Sequence, residues 1–135
     1  MDNETLIKIA INAKKNSYAN VTNYSVGAAL LSKSGTIYIG ANIEEPSIIG
    51  LSNCAERVAI QNAFSHGERE FEKIAIVGSK NDSEFLDDVT PCGVCLQYIL
   101  DMCDNVEIIT IENGEIVSKN VKEYLSSPFE LDTKQ

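Results

Sequence analysis

Three of the four cysteines in this 135-residue chain stand in two short motifs, Cys54-Ala55-Glu56-Arg57 and Pro91-Cys92-Gly93-Val94-Cys95, and each motif opens a segment with helical periodicity. Thiols at helix starts meet unpaired backbone N–H groups and the positive end of the helix dipole. Both favour thiolate, the form that ligates a metal. A fold that uses the motifs together must bring two helix N-termini side by side. Four cysteines would also allow two disulfides, but a chain of this length buries roughly two-thirds of its unfolded surface without covalent staples. The start Met1-Asp2-Asn3-Glu4 lacks a basic segment followed by an apolar one, so nothing suggests secretion. Reduced, metal-binding cysteines in a soluble, cytoplasmic protein are the expectation.

The remaining periodicities surround these helices with strands. Asp2-Asn3-Glu4 offers an N-cap, and Leu6, Ile9, Ala10 and Ala13 predict a first helix to about Lys15. Val26–Leu31, the turn Ser32-Lys33-Ser34-Gly35 and Thr36–Ile39 predict a hairpin. A second helix is expected from about Cys54 through Ala63, then a buried strand over Lys73–Gly78. Pro91 is placed to open a third helix through about Met102, since proline fits a helix's first turn. Val106–Ile111, the turn Asn113-Gly114, Glu115–Val117 and a short helix over Val121 to Leu125 complete the pattern before a polar tail. The order α-β-β-α-β-α-β-β predicts one domain over 1–135, an α/β chain with a mixed sheet covered by helices. Strand order is not legible at this level.

The net charge of −9 argues against a phosphate-tracking surface, and no run approaches the ~18 apolar residues of a membrane span. Neither nucleic acid nor membrane is an expected partner. A small uncharged ligand is compatible.

Structural zinc sites close with four protein ligands, whereas catalytic sites keep three and leave a position for water. The two motifs supply three. Cys103 follows Cys95 by two helical turns, ~12 Å along the axis, and is expected to be buried and unligated. His66, the single histidine, is expected to be a surface or capping residue. Glu56 is two residues from Cys54, which on a regular helix sends the side chains to nearly opposite faces. Both reach one metal only if Cys54 sits at the cap, before helical geometry begins. A glutamate there can move protons for a metal-activated water; its bland role is helix-start electrostatics.

Cys54-x-Glu56 followed by Pro91-Cys92-x-x-Cys95 matches the signature of the zinc nucleobase deaminases. With Val26-Gly27-Ala28-Ala29-Leu30, Asn42-Ile43-Glu44 and Asn53-Cys54-Ala55-Glu56-Arg57, the chain resembles the small, homotetrameric, all-cysteine cytidine deaminases over nearly its whole length. The resemblance implies a three-layer α/β/α sandwich with about five strands and one Zn²⁺ per subunit held by Cys54, Cys92 and Cys95. It implies hydrolytic deamination of cytidine and 2'-deoxycytidine in pyrimidine salvage. A metal-activated water attacks C4, and Glu56 protonates ring N3 and then the departing amine. It places Asn42 and Glu44 on the sugar hydroxyl, Ala55 among the substrate-binding positions and Tyr24 against the base. Phe129 would reach a neighbouring subunit's pocket in a homotetramer with composite sites.

Three thiolates around Zn²⁺ leave a formal charge of −1, which opposes ionisation of a bound water. Arg57 is the candidate to offset it by hydrogen bonding to sulfur; the alternative is an ordinary salt bridge. Departures from the family fall elsewhere. Leu96 stands where the family usually has Arg, Asn20-Val21-Thr22 replaces Pro-Tyr-Ser, and Glu45-Pro46-Ser47-Ile48 replaces Asn-Ala-Ser-Tyr. The loop changes keep alive a deaminase of another aminopyrimidine nucleoside, such as blasticidin S. A non-catalytic zinc module would need a fourth ligand that the motifs do not supply. A nucleic-acid editing enzyme is disfavoured by the acidic charge.

Overall fold

In a computed structural model that describes residues 1–131, the Asp2 carboxylate accepts a hydrogen bond from the Thr5 amide at 2.8 Å and opens α1 (Asn3–Lys14). Then come β1 (Tyr24–Ser32), β2 (Ile37–Ala41), α2 (Ala55–Ser65), β3 (Phe71–Lys80), α3 (Gly93–Cys103), β4 (Glu107–Glu112), β5 (Glu115–Asn120) and α4 (Val121–Tyr124). A single 3-10 turn, Ile49–Leu51, lies between β2 and α2. The last residues of the expected polar tail, 132–135, fall outside the described residues.

The strands form one sheet in the order β2-β1-β3-β4-β5. Only β3 and β4 run parallel, and α3 lies on the crossover between them. The alternation of strand side chains builds the layers. Ala28, Leu30, Ile74, Ile76 and Ile108 pack with α2 and α3 residues on one face; Ala29, Leu31, Ala75, Val77 and Ile109 pack with α1 on the other. The expected α/β/α sandwich with a five-stranded mixed sheet is what the chain adopts.

Element edges moved where pairing, not apolar pattern, sets them. β1 starts at Tyr24 rather than Val26, because Tyr24 and Ser25 pair with Lys80 and Ser79 of β3. The same pairing lengthens β3, while pairing of β5 with β4 carries β5 to Asn120, where a capping box with Glu123 begins α4. Pro91 does not open α3: Cys92 is the N-cap, in extended conformation, and Gly93 is the first helical residue. His66 is the C-cap of α2, with Nδ1 at 2.8 Å from the Asn62 carbonyl, and Cys103 is buried in the α2/α3-side core. All four cysteines are free thiols.

Candidate active site

The two cysteine motifs meet because α2 and α3 begin at neighbouring points over the same sheet face. Cys54 is the N-cap of α2, with φ −77° and ψ 154°. It therefore points differently from a residue inside the helix, which removes the conflict between Cys54 and Glu56 that regular spacing poses. On α3, the Cys92 sulfur accepts from the Cys95 amide at 3.4 Å. The Sγ atoms of Cys54, Cys92 and Cys95 lie within 4.8 Å of one another, the one such cluster of metal-ligating groups among the described residues. Thiolates on a tetrahedral zinc at about 2.3 Å stand about 3.8 Å apart, so small side-chain movements bring this trio onto one ion. The donor set fits zinc.

Two of the cluster's cysteines open onto a cleft of about 460 Å³, whose lining includes Tyr24, Asn42, Glu44, Cys54, Ala55, Glu56, Arg57 and Cys92. Of the residues expected in the site, Cys95 is buried behind this lining, and Phe129 lies outside the cleft of its own chain, 69% exposed. Glu56 is only 4% exposed, and burial pushes its carboxyl above the usual carboxylate range. The Cys54 thiol is lowered to about 5, chiefly by the hydrogen bond from Cys95. Burial opposes this, and the Arg57 guanidinium adds a hydrogen bond and positive charge. Arg57 Nη2 donates to Cys54 Sγ at 3.4 Å, so Arg57 faces the thiols and not a carboxylate. Leu96, where an arginine was absent from the motif, is buried in the apolar core.

Asn42 and Glu44 follow β2 on an irregular segment. Ile43 between them is exposed, whereas Asn42 and Glu44 are 7% and 8% exposed. Both are largely occupied by the protein. Asn42 Oδ1 accepts from Ser17 Oγ and from the Val26 amide at 2.9 Å, and its Nδ2 donates to the Tyr24 carbonyl at 2.9 Å. Glu44 Oε1 accepts from the Val21 and Thr22 amides at 3.0 and 2.9 Å, and Oε2 accepts from Thr22 Oγ1 at 2.6 Å. The inventory leaves Asn42 one N–H and Glu44 one lone pair. Both residues line the cleft, so one donor and one acceptor are left over in its wall.

Several lining residues were given no site role from sequence. Val26, Ile49, Gly50, Val89 and Thr90 shape the cleft, and Ile48, suspected of sensing substrate, does not line it. The run Val89-Thr90 directly before Pro91-Cys92 was the available signal, since a chain entering a metal-bearing helix end must pass the site. The shift from Ile48 to Ile49 follows from the 3-10 turn, which no periodicity announced.

Residues 1–111 match the family described as the cytidine and deoxycytidylate deaminase zinc-binding region. The chain belongs to that family. It is 40% identical over 131 residues to the cytidine deaminase of Halalkalibacterium halodurans, covering 96% of this chain and 95% of the other. It is 32% identical over 106 residues to a blasticidin-S deaminase of Bacillus cereus, covering 76% and 74%. The crystal structure of cytidine deaminase from Burkholderia pseudomallei superimposes with a TM-score of 0.84 at 32% identity, covering 96% of this chain and 100% of that one. Membership of this family and the cysteine trio together make Zn²⁺ the metal of the site.

Proposed function

We propose that this chain is a one-domain, zinc-dependent hydrolase that converts cytidine and 2'-deoxycytidine to uridine and 2'-deoxyuridine, releasing ammonia. The observation that carries the reading is the buried Glu56 carboxyl, lining the same cleft as Cys54 and Cys92. Zinc held by Cys54, Cys92 and Cys95 supplies Lewis acidity that makes a water nucleophilic near neutral pH. Glu56 takes a proton from the attacking water, delivers it to ring N3, and passes a second proton to the departing amine. The new C4–O bond thereby replaces the C4–N bond, and ammonia leaves. Arg57 draws negative charge from the Cys54 sulfur. The free N–H of Asn42 and the free lone pair of Glu44 support binding of one sugar hydroxyl, and Tyr24 and Ala55 line the space left for the base.

A homotetramer with shared clefts completes the reading. Phe129 is displayed on the surface, and Ile49, on the cleft rim, is flanked by the exposed Ile48 and Leu51. This apolar rim is supported by a second subunit better than by water. Among the described residues no helix is long and apolar enough to cross a membrane. A diffusible nucleoside substrate suits a cytoplasmic enzyme.

The test is the ultraviolet change on mixing zinc-analysed protein with cytidine, 2'-deoxycytidine and blasticidin S in separate cuvettes. One zinc per chain with rapid loss of the cytidine chromophore is the expected result. Turnover of the antibiotic with cytidine untouched would overturn the choice of substrate while leaving the zinc and Glu56 assignments standing.

A further inference from the structure

The connection between β3 and α3, residues 81–92, holds no helix or strand, yet its end carries Val89, Thr90 and Pro91 along the cleft and delivers Cys92 to the metal cluster. Something must fix a loop of this length. At its start, Asn81 is tied to the segment before β1 and to β1 itself: its amide donates to the Asn23 carbonyl at 2.9 Å, its Nδ2 donates to the Ala19 carbonyl at 2.9 Å, and Oγ of Ser25, in β1, donates to its Oδ1. Further along, the Asp87 amide donates to the Gly78 carbonyl at 2.9 Å, and Asp88 Oδ1 accepts from the Asn113 amide at 2.9 Å. The Asp87 Oδ2 then accepts from the hydroxyl of Tyr24, a cleft-lining residue, at 3.1 Å.

Gly78 makes this contact sterically available. A Cβ there would stand 2.8 Å from Tyr24 Cε2, 3.0 Å from the Tyr24 hydroxyl oxygen and 3.0 Å from Val89 Cγ2. The Tyr24 ring and Val89, both in the cleft lining, therefore share the bare position on β3. Packing alone would be served by a ring without a hydroxyl. We propose that Asp87 is a positioning residue: through the Tyr24 hydroxyl it pins the ring that walls the substrate cleft to the loop that carries Cys92. The inference rests on Tyr24 facing the substrate base. Burial and the neighbouring Asp87 raise the Tyr24 hydroxyl to about 12, so it remains a donor throughout the neutral range.

The experiment uses the full, zinc-loaded chain with cytidine as substrate, and compares Tyr24→Phe, Asp87→Ala, the double variant, Asp87→Asn and Tyr24→Ala. Tyr24→Phe and Asp87→Ala each raise KM about three- to tenfold with kcat within about twofold, because a ring-orienting contact acts on ground state and transition state alike. The double variant matches the singles, since both remove one bond. Asp87→Asn keeps an acceptor and recovers most of the loss. A readout independent of turnover is the alkaline absorbance titration of the five tyrosines: a late-titrating one moves to lower pH in Asp87→Ala. If Tyr24→Ala raises KM while Tyr24→Phe and Asp87→Ala leave KM and the tyrosine titration unchanged, the latch is refuted and the ring's role survives. Additive effects in the double variant refute it too. An unchanged KM in Tyr24→Ala removes the underlying reading of the ring and the latch with it.

Discussion

The Arg57 side chain turns back along the first turn of α2 so that Nη2 donates to Cys54 Sγ at 3.4 Å, while its Nε is buried without a partner among the described residues. A guanidinium committed to a sulfur rather than a carboxylate offsets the formal −1 of three thiolates on Zn²⁺. With Leu96 apolar and buried, no second cation from that position shares the work. Arg57→Ala therefore lowers kcat roughly 10- to 100-fold, the usual cost of removing a group that tunes a ligand. Arg57→Lys keeps the charge but not the planar fork and falls between. Steady-state kinetics with zinc measured per chain checks this. A variant with full kcat would return Arg57 to a structural role.

Glu56→Gln keeps the volume and a hydrogen-bonding head but removes the proton carrier. Turnover falls about 10²- to 10⁴-fold while zinc stays at one per chain. The separation matters, because the three sulfurs and not Glu56 form the ligand cluster. Loss of zinc in this variant would instead make Glu56 part of the metal's support.

The cysteine cluster was more legible in the sequence than the walls of the cleft. That Cys54, Cys92 and Cys95 would cluster was readable because helix starts, thiol spacing and the need for an open coordination position constrain each other, and a capping Cys54 left Glu56 free to line the same cleft. Arg57 followed from charge balance. Strand order was not readable, because the parallel β3/β4 pair depends on how α3 crosses the sheet, a tertiary choice that local pattern does not encode. Asn42 and Glu44 were found through resemblance, and their occupied hydrogen-bonding capacity could be counted only in three dimensions. Val89 and Thr90 were missed because an irregular loop has no period to reveal which residues face a cleft. Gly40 shows the same limit: its spacing says nothing, and only the packed helix shows why a side chain there is excluded.

A Cβ at Gly40 would overlap Ala55 O and Ala59 N, the backbone of the α2 turn that follows Cys54 and carries Glu56. One at Gly27 would overlap Ala10 O and Lys14 N on α1, on the opposite face of the sheet. Both Gly→Ala variants cost stability, about 1–3 kcal/mol for a forced overlap in a packed core. The two differ in function: Gly40→Ala also weakens zinc retention, because the helix that moves bears Cys54, whereas Gly27→Ala keeps it. Urea unfolding paired with competition by a zinc chelator separates the two. Equal zinc retention would show that α2 absorbs the displacement beyond its first turn.

Glu44 ties the segment before β1 to the cleft and gives the fold an acid-sensitive point. Burial by itself would raise its pKa, but the hydrogen bonds from the Thr22 hydroxyl and from the Thr22 and Val21 amides outweigh it and hold the carboxyl below its ordinary value of 4.5. A carboxylate whose folded pKa is depressed contributes stability that is fully present above the unfolded value. That contribution is lost as pH falls through the folded one. Glu44→Gln should therefore lower the urea midpoint at pH 7, and the gap between variant and parent should close as pH falls below about 4. Amide exchange at Val21 and Thr22 reports the same event locally, rising in the variant at neutral pH. A gap that stays constant down to pH 3 would mean that the three hydrogen bonds do not distinguish the charged from the neutral carboxyl.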